Sequence, residues 1–90
     1  MPGKGPTKRI TFRFHAPEAR NVSVAGDFNG WDSKASPLKS YKDGLWMGVV
    51  TTKPGTYQYR FIVDGVWQDD PTCEERFANE FGSSNNVIRV

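Results

Sequence analysis

Ninety residues make one domain with a modest core, since a chain of this length buries only about 60–65% of its unfolded surface. A net charge of +2 is too small to indicate a nucleic-acid partner, and part of it sits in the basic opening "MPGKGPTKR". Cys73 is the single cysteine, so an internal disulfide is excluded. No apolar run has the length of a signal-peptide core or a membrane span, which makes the cytoplasm the expected location. The initial Met fits a complete small protein and equally an excised domain.

Residues 1–7 read as a flexible N-terminal segment and 8–90 as the folded domain. Period-two alternation, the signature of strands, then runs through most of the chain. In "KRITFRFH", Ile10, Phe12 and Phe14 share one face, while Arg9, Thr11, Arg13 and His15 share the other. "ARNVSVAG" turns Val22 and Val24 inward. "LWMGVVT" aligns Trp46, Gly48 and Val50 on one side. "GTYQYRFIVDG" gives Tyr57, Tyr59, Phe61 and Val63 one face, and Gln58, Arg60 and Ile62 the opposite one. "CEERFANEF" is the only helix-tolerant stretch, a turn or so after Pro71. "NNVIRV" closes the chain as a short strand, with Ile88 and Val90 on one face and Val87 on the other.

Asn29-Gly30, Asp43-Gly44, Pro54-Gly55 and Asp64-Gly65 punctuate these runs. "YKDGLW" and "VDGVW" predict tight hairpins, and "KPGT" predicts a type II turn. Roughly five to seven strands at such spacing predict an all-β sandwich.

Catalysis has thin support. Asp69, Asp70, Glu74, Glu75 and Glu80 are carboxylates by type, but they crowd into one stretch of a domain with little interior for raising a pKa. His15 and Cys73 have no oxyanion hole or orienting group in view. They also fall short of a zinc ligand set, so no metal or cofactor is expected and the chain reads as a non-enzyme.

What remains is an aromatic and polar surface. Sugars present C–H stripes on their ring faces and hydroxyls at the rim, so a site needs flat aromatics beside hydrogen-bonding groups. Trp31 in "GDFNGW" and Trp67 in "DGVWQDDP" both follow glycine turns. Each is a platform or a lid on the core. Arg60 is a solvated strand residue or a cation beside Trp67. Ser83, Asn85 and Asn86 in "GSSNN" are hydroxyl partners or a loop leading into the last strand.

With those residues assembled, "VSVAGDFNGW", "GTYQYRFIVDGVWQDDP" and "NNVIRV" resemble carbohydrate-binding modules of family 48. These are the glycogen-binding domains of AMP-activated protein kinase β subunits and the N-terminal early-set domains of isoamylases and branching enzymes. The similarity runs from about Lys8 to Val90. The resemblance implies an immunoglobulin-like (early-set) β-sandwich that binds an α-1,4-linked glucan such as glycogen, starch or a maltooligosaccharide. It matches Trp31 and Trp67 to the two tryptophans that stack on glucose rings. Arg60 falls at the position of a lysine, Phe81 of a leucine and Ser83 of a threonine, while Asn85 keeps the asparagine. The alternative is a scaffold that docks onto a separate glucan-metabolising enzyme or kinase-like partner. Neither reading involves nucleic acid or membrane.

Overall fold

The computed structural model describes residues 7–78 and 84–90. The described residues form eight strands, more than the five to seven that the alternation predicts: β1 (Lys8–His15), β2 (Val22–Gly26), β3 (Lys39–Ser40), β4 (Leu45–Thr52), β5 (Thr56–Val63), β6 (Val66–Gln68), β7 (Arg76–Ala78) and β8 (Ser84–Arg89). They form two antiparallel sheets, one ordered β1-β4-β3 and the other β2-β5-β8-β7, with β6 also paired to β5. The chain is a β-sandwich, as its patterning predicts. Segment 36–38 hydrogen-bonds along β2 through Ser36 and Leu38 before the chain enters β3 of the other sheet. It thereby closes one side of the sandwich.

The inward residues are those the period-two pattern selects. Ile10, Phe12 and Phe14 of β1 meet Val22 and Val24 of β2, Trp46 of β4, and Tyr59 and Phe61 of β5 in one cluster. Phe61 is wholly buried, with its ring near Phe12, Phe14 and Tyr59 at tilted or edge-on angles. Trp46, the third tryptophan, is a core residue whose indole N–H donates to the Ala16 carbonyl at 3.0 Å. Ala25, Ile62 and Val87 are also buried but lie outside that cluster. They alternate with the inward residues, so they belong to the outer face of the larger sheet.

The hairpins depend on left-handed backbone. Asp64 (φ 49°) and Gly65 (φ 84°) join β5 to β6, with Val63 opposite Val66. Asp43 (φ 63°) and Gly44 (φ 76°) do the same between β3 and β4. Positive φ at both central residues matches the twist of the flanking strands. Two expectations are corrected. Gly55 has no positive φ, so "KPGT" is not a type II turn. Instead the Gly55 N–H and C=O exchange hydrogen bonds with Val90, both at 2.9 Å. The stretch expected to tolerate helix supplies strand β7, because Arg76–Ala78 pairs with the free edge of β8; Asn79, Glu80 and Phe81 lie outside the described residues.

A buried polar knot ties the loop after β6 to the sheet. Asp70 is 7% exposed and Asn86 fully buried, so Asn86 is not the sugar-hydroxyl partner that the sequence offered. The Tyr59 hydroxyl donates to Asp70 Oδ2 at 2.6 Å, and the Thr72 N–H and hydroxyl donate to Asp70 Oδ1. The Asn86 amide bridges the Asp70 N–H and the Tyr59 carbonyl. Burial, with the Asp70 carboxylate as its acceptor, holds the Tyr59 hydroxyl proton far above the usual tyrosine range.

Two outcomes follow for stability. Phe61→Ala should cost about 3–5 kcal/mol in chemical denaturation, and an unchanged melt would refute that core assignment. Because Tyr59 titrates higher when folded than its ordinary value of 10.0, its contribution is whole below about pH 10 and is lost as pH rises above it. Stability measured from pH 8 to 11 should therefore decline above 10, and Tyr59→Phe should flatten that decline.

Candidate functional site

The outer face of the larger sheet carries the aromatic and polar residues that the sequence singles out. Antiparallel partners project to the same side, and Ile62 lies opposite Trp67 while Ala25 lies opposite Arg60. Gln58, Arg60, Ile62 and Trp67 therefore share one face. Asn85 joins them, since it sits two residues before Val87, the partner of Gln58. Its side-chain amide donates to Gln58 Oε1 at 3.0 Å.

Trp31 and Trp67 come together there. Their ring centroids are 6.2 Å apart and the planes are tilted by 38°. Trp67 is 42% exposed and Trp31 half-buried. The pair forms an angled aromatic ledge, and neither ring belongs to the core cluster.

The turn that delivers Trp31 is built by the "GDFNGW" stretch. Gly26 must lack a side chain, because a Cβ there would lie 2.5 Å from the Gln58 carbonyl oxygen and 2.8 Å from the Phe28 ring. Asn29 locks the loop by accepting from the Gly26 N–H and donating to the Val24 carbonyl and Ser36 hydroxyl. Gly30 (φ 67°) and Trp31 (φ 61°) are both left-handed. That backbone is a cost for a bulky residue, of order 1–2 kcal/mol. Two hydrogen bonds hold Trp31 in it: its N–H donates to the Gly26 carbonyl at 2.9 Å, and its indole N–H donates to Asp27 Oδ1 at 3.0 Å.

Asp27 is the residue that strand periodicity passes over. Its second oxygen, Oδ2, accepts the backbone N–H of Gln58 at 2.8 Å. One carboxylate thus joins the Trp31 indole to β5, the strand that presents Gln58 and Arg60. The clue in the sequence is the spacing of an acceptor four residues before a tryptophan inside a glycine-bounded turn.

Arg60 faces outward but is not fully solvated. Its side chain is 19% exposed and lies 3.2 Å from Asp69 Oδ1. That geometry falls short of a hydrogen bond, and the buried Arg60 Nε has no hydrogen-bond partner among the described residues. Asp69 also takes a 3.0 Å hydrogen bond from Arg76. Of the six expected site residues, Trp31, Trp67, Arg60 and Asn85 lie on this one face. Phe81 and Ser83 lie outside the described residues.

Two of the other candidate carboxylates are committed elsewhere, and Glu80 lies outside the described residues. Asp70 belongs to the buried knot, and Glu75 pairs with Arg89, whose guanidinium lowers the Glu75 pKa from its ordinary value. The His15 Nε2–H donates to the Asp43 carbonyl at 2.7 Å near the end of β1, whereas Cys73 lies against the carbonyls of Glu75 and of Val87 in β8. The two are not brought together. Among the described residues no group of three or more His, Cys, Asp or Glu side chains is placed to hold a metal, and no helix is long and apolar enough to cross a membrane.

This face joins an angled aromatic ledge to a cation and side-chain amides, the kinds of group that can meet the apolar faces and hydroxyls of a sugar. Residues 8–90 match the family described as the glycogen recognition site of AMP-activated protein kinase, and the chain belongs to that family. It is 35% identical over 71 residues to 5'-AMP-activated protein kinase subunit beta-2 of Homo sapiens, a match covering 79% of this chain and 25% of that protein. It is 34% identical over 71 residues to subunit beta-1 of Sus scrofa, covering 79% and 55%. A third relative is 1,4-alpha-glucan branching enzyme GlgB of Photobacterium profundum, 40% identical over 60 residues, covering 66% of this chain and 8% of the enzyme. The chain spans about a quarter of the length of the beta-2 subunit it matches.

Asp27→Ala removes the acceptor of the Trp31 indole. The indole N–H signal of Trp31 in 1H–15N spectra should shift and exchange faster with solvent, at a stability cost of about 1 kcal/mol. An indole signal that stays in place would show that Asp27 does not orient the ring.

Proposed function

We propose that this domain is a non-catalytic binder of α-1,4-linked glucan, such as glycogen, starch or maltooligosaccharide. The observation that carries the reading is the Trp31–Trp67 ledge, 6.2 Å between centroids, on the exposed face of the larger sheet. Two indoles at that separation offer surfaces to neighbouring sugar rings of one chain. Arg60 and Asn85 lie beside them as partners for the hydroxyl rim. Phe81 and Ser83 belong to the same proposal through the family resemblance.

Membership of the glycogen-recognition family supports the choice of an α-glucan. The kinase subunits and the branching enzyme among its relatives support attachment to, or action beside, a glucan-handling or kinase partner, and a cytoplasmic location belongs to the same proposal. The commitment of Asp69, Asp70 and Glu75 to structural pairs supports a role without bond cleavage. A general acid in glycoside hydrolysis requires a carboxyl with a raised pKa, and the shift at Glu75 runs downward.

If each indole removes about 50–100 Å² of apolar area from water, the pair contributes roughly 2.5–5 kcal/mol at about 25 cal/mol per Å². Ordering and desolvation offset part of that, so affinity for one short chain falls at about micromolar to millimolar. A polymer with many equivalent repeats turns such weak sites into retention through valency.

Maltoheptaose should quench tryptophan fluorescence, and Trp67→Ala should abolish both that response and retention on glycogen while leaving the melting temperature unchanged. Wild-type protein that gives no response to millimolar maltoheptaose would sink the proposal. Release of shorter products from the oligosaccharide would instead establish an enzyme.

A further inference from the structure

Phe77 is the most exposed large hydrophobic residue among those described, at 60%. The other described phenylalanines are buried or packed against the core: Phe12, Phe14 and Phe61 within it, and Phe28 beside it. An exposed phenylalanine on an edge strand is a liability, since edges are ordinarily blunted with charge. A reason for it lies in where β7 places it.

Phe77 lies opposite Asn85 in the β7–β8 ladder, so both side chains project from the same face. That is the face of Gln58, Arg60 and Trp67. Tyr59 pairs with Gly26 of β2 and with Asn86 of β8, which puts β8 on the side of β5 away from β2. Phe61 and Val63 also pair with both β2 and β6, so β6 shares that side. Trp67 and Phe77 therefore flank the same stretch of sheet, with Asn85 between Phe77 and β5. Strand spacing and rise put their Cα atoms roughly 8–10 Å apart. Arg76 anchors the strand through its hydrogen bond to Asp69 at 3.0 Å, the carboxylate that also pairs with Arg60.

We propose that Phe77 is a third apolar contact for the glucan chain, at the far edge of the sheet, and that it makes the domain prefer longer oligosaccharides. The inference rests on the sugar-binding reading of the tryptophan ledge. A short oligosaccharide occupies the two indoles and the polar groups beside them. A longer one continues across Asn85 and lays a further ring face against Phe77. The contact is an aromatic face against sugar C–H groups, the same physics as at the ledge. It adds affinity only when the chain is long enough to reach.

Calorimetric titration with maltotriose and maltoheptaose, on the wild type, Phe77→Ala, Phe77→Trp and Trp67→Ala, tests this. Phe77→Ala should lower maltoheptaose affinity about five- to tenfold, as expected for losing one apolar platform. It should leave maltotriose affinity and the melting temperature unchanged, and Phe77→Trp should restore or exceed the wild-type preference for the longer chain. If Phe77→Ala matches the wild type for both ligands, or weakens both equally, the inference is overturned. Loss of binding in Trp67→Ala would then leave the ledge reading standing. Wild-type protein that binds neither ligand would overturn both.

Discussion

Strand β5 is the constraint on which both the fold and the candidate site depend. Its inward residues, Tyr59 and Phe61, are core, and its outward residues, Gln58 and Arg60, lie in the candidate site. A slip of one residue in its pairing would exchange the two sets. The strand is held on both edges, by β2 on one side and by β6 and β8 on the other. Few residues in so small a domain are left to serve only one purpose.

Short-range turns and buried polar groups convert that strand into a shaped surface. The Asp70 knot fixes the loop that follows β6, using Tyr59 from inside β5 and Asn86 from inside β8. The Asp27 carboxylate fixes the loop that follows β2, using the Gln58 N–H. Each carboxylate reaches one β5 residue, and the two residues are adjacent. The tryptophan ledge therefore inherits its geometry from hydrogen bonds to a strand that the hydrophobic core has already positioned. This is preorganisation, which reduces the ordering cost of binding a flexible polymer.

Much of the architecture was legible because burial acts residue by residue at a fixed period. The inward faces of β1, β2 and β5 and the pairing of Asp64-Gly65 with a tight hairpin could be read directly. Strand β7 could not: three residues carry no readable period, and their state is decided by the vacant edge of β8. Gly55 escaped for a similar reason, since its conformation is set by hydrogen bonds to Val90, 35 positions away in sequence. Aromatic and polar residue types marked Trp31, Arg60, Trp67 and Asn85, yet no spacing argument gives a centroid separation between two indoles on different turns. Neither the ion pair that partly covers Arg60 nor the double role of Asp27 leaves a periodic trace. Both are long-range facts of the folded chain.

The left-handed backbone at Trp31 (φ 61°) carries an evolutionary consequence. A large aromatic in that conformation spends part of a small domain's limited stability on display, and replacement by asparagine or glycine would relax the chain. Selection for thermal robustness alone would drift toward those smaller residues and erase the ledge. Persistence of tryptophan there across descendants would be a record of use, and its loss would mark lineages in which the sandwich survives only as a spacer.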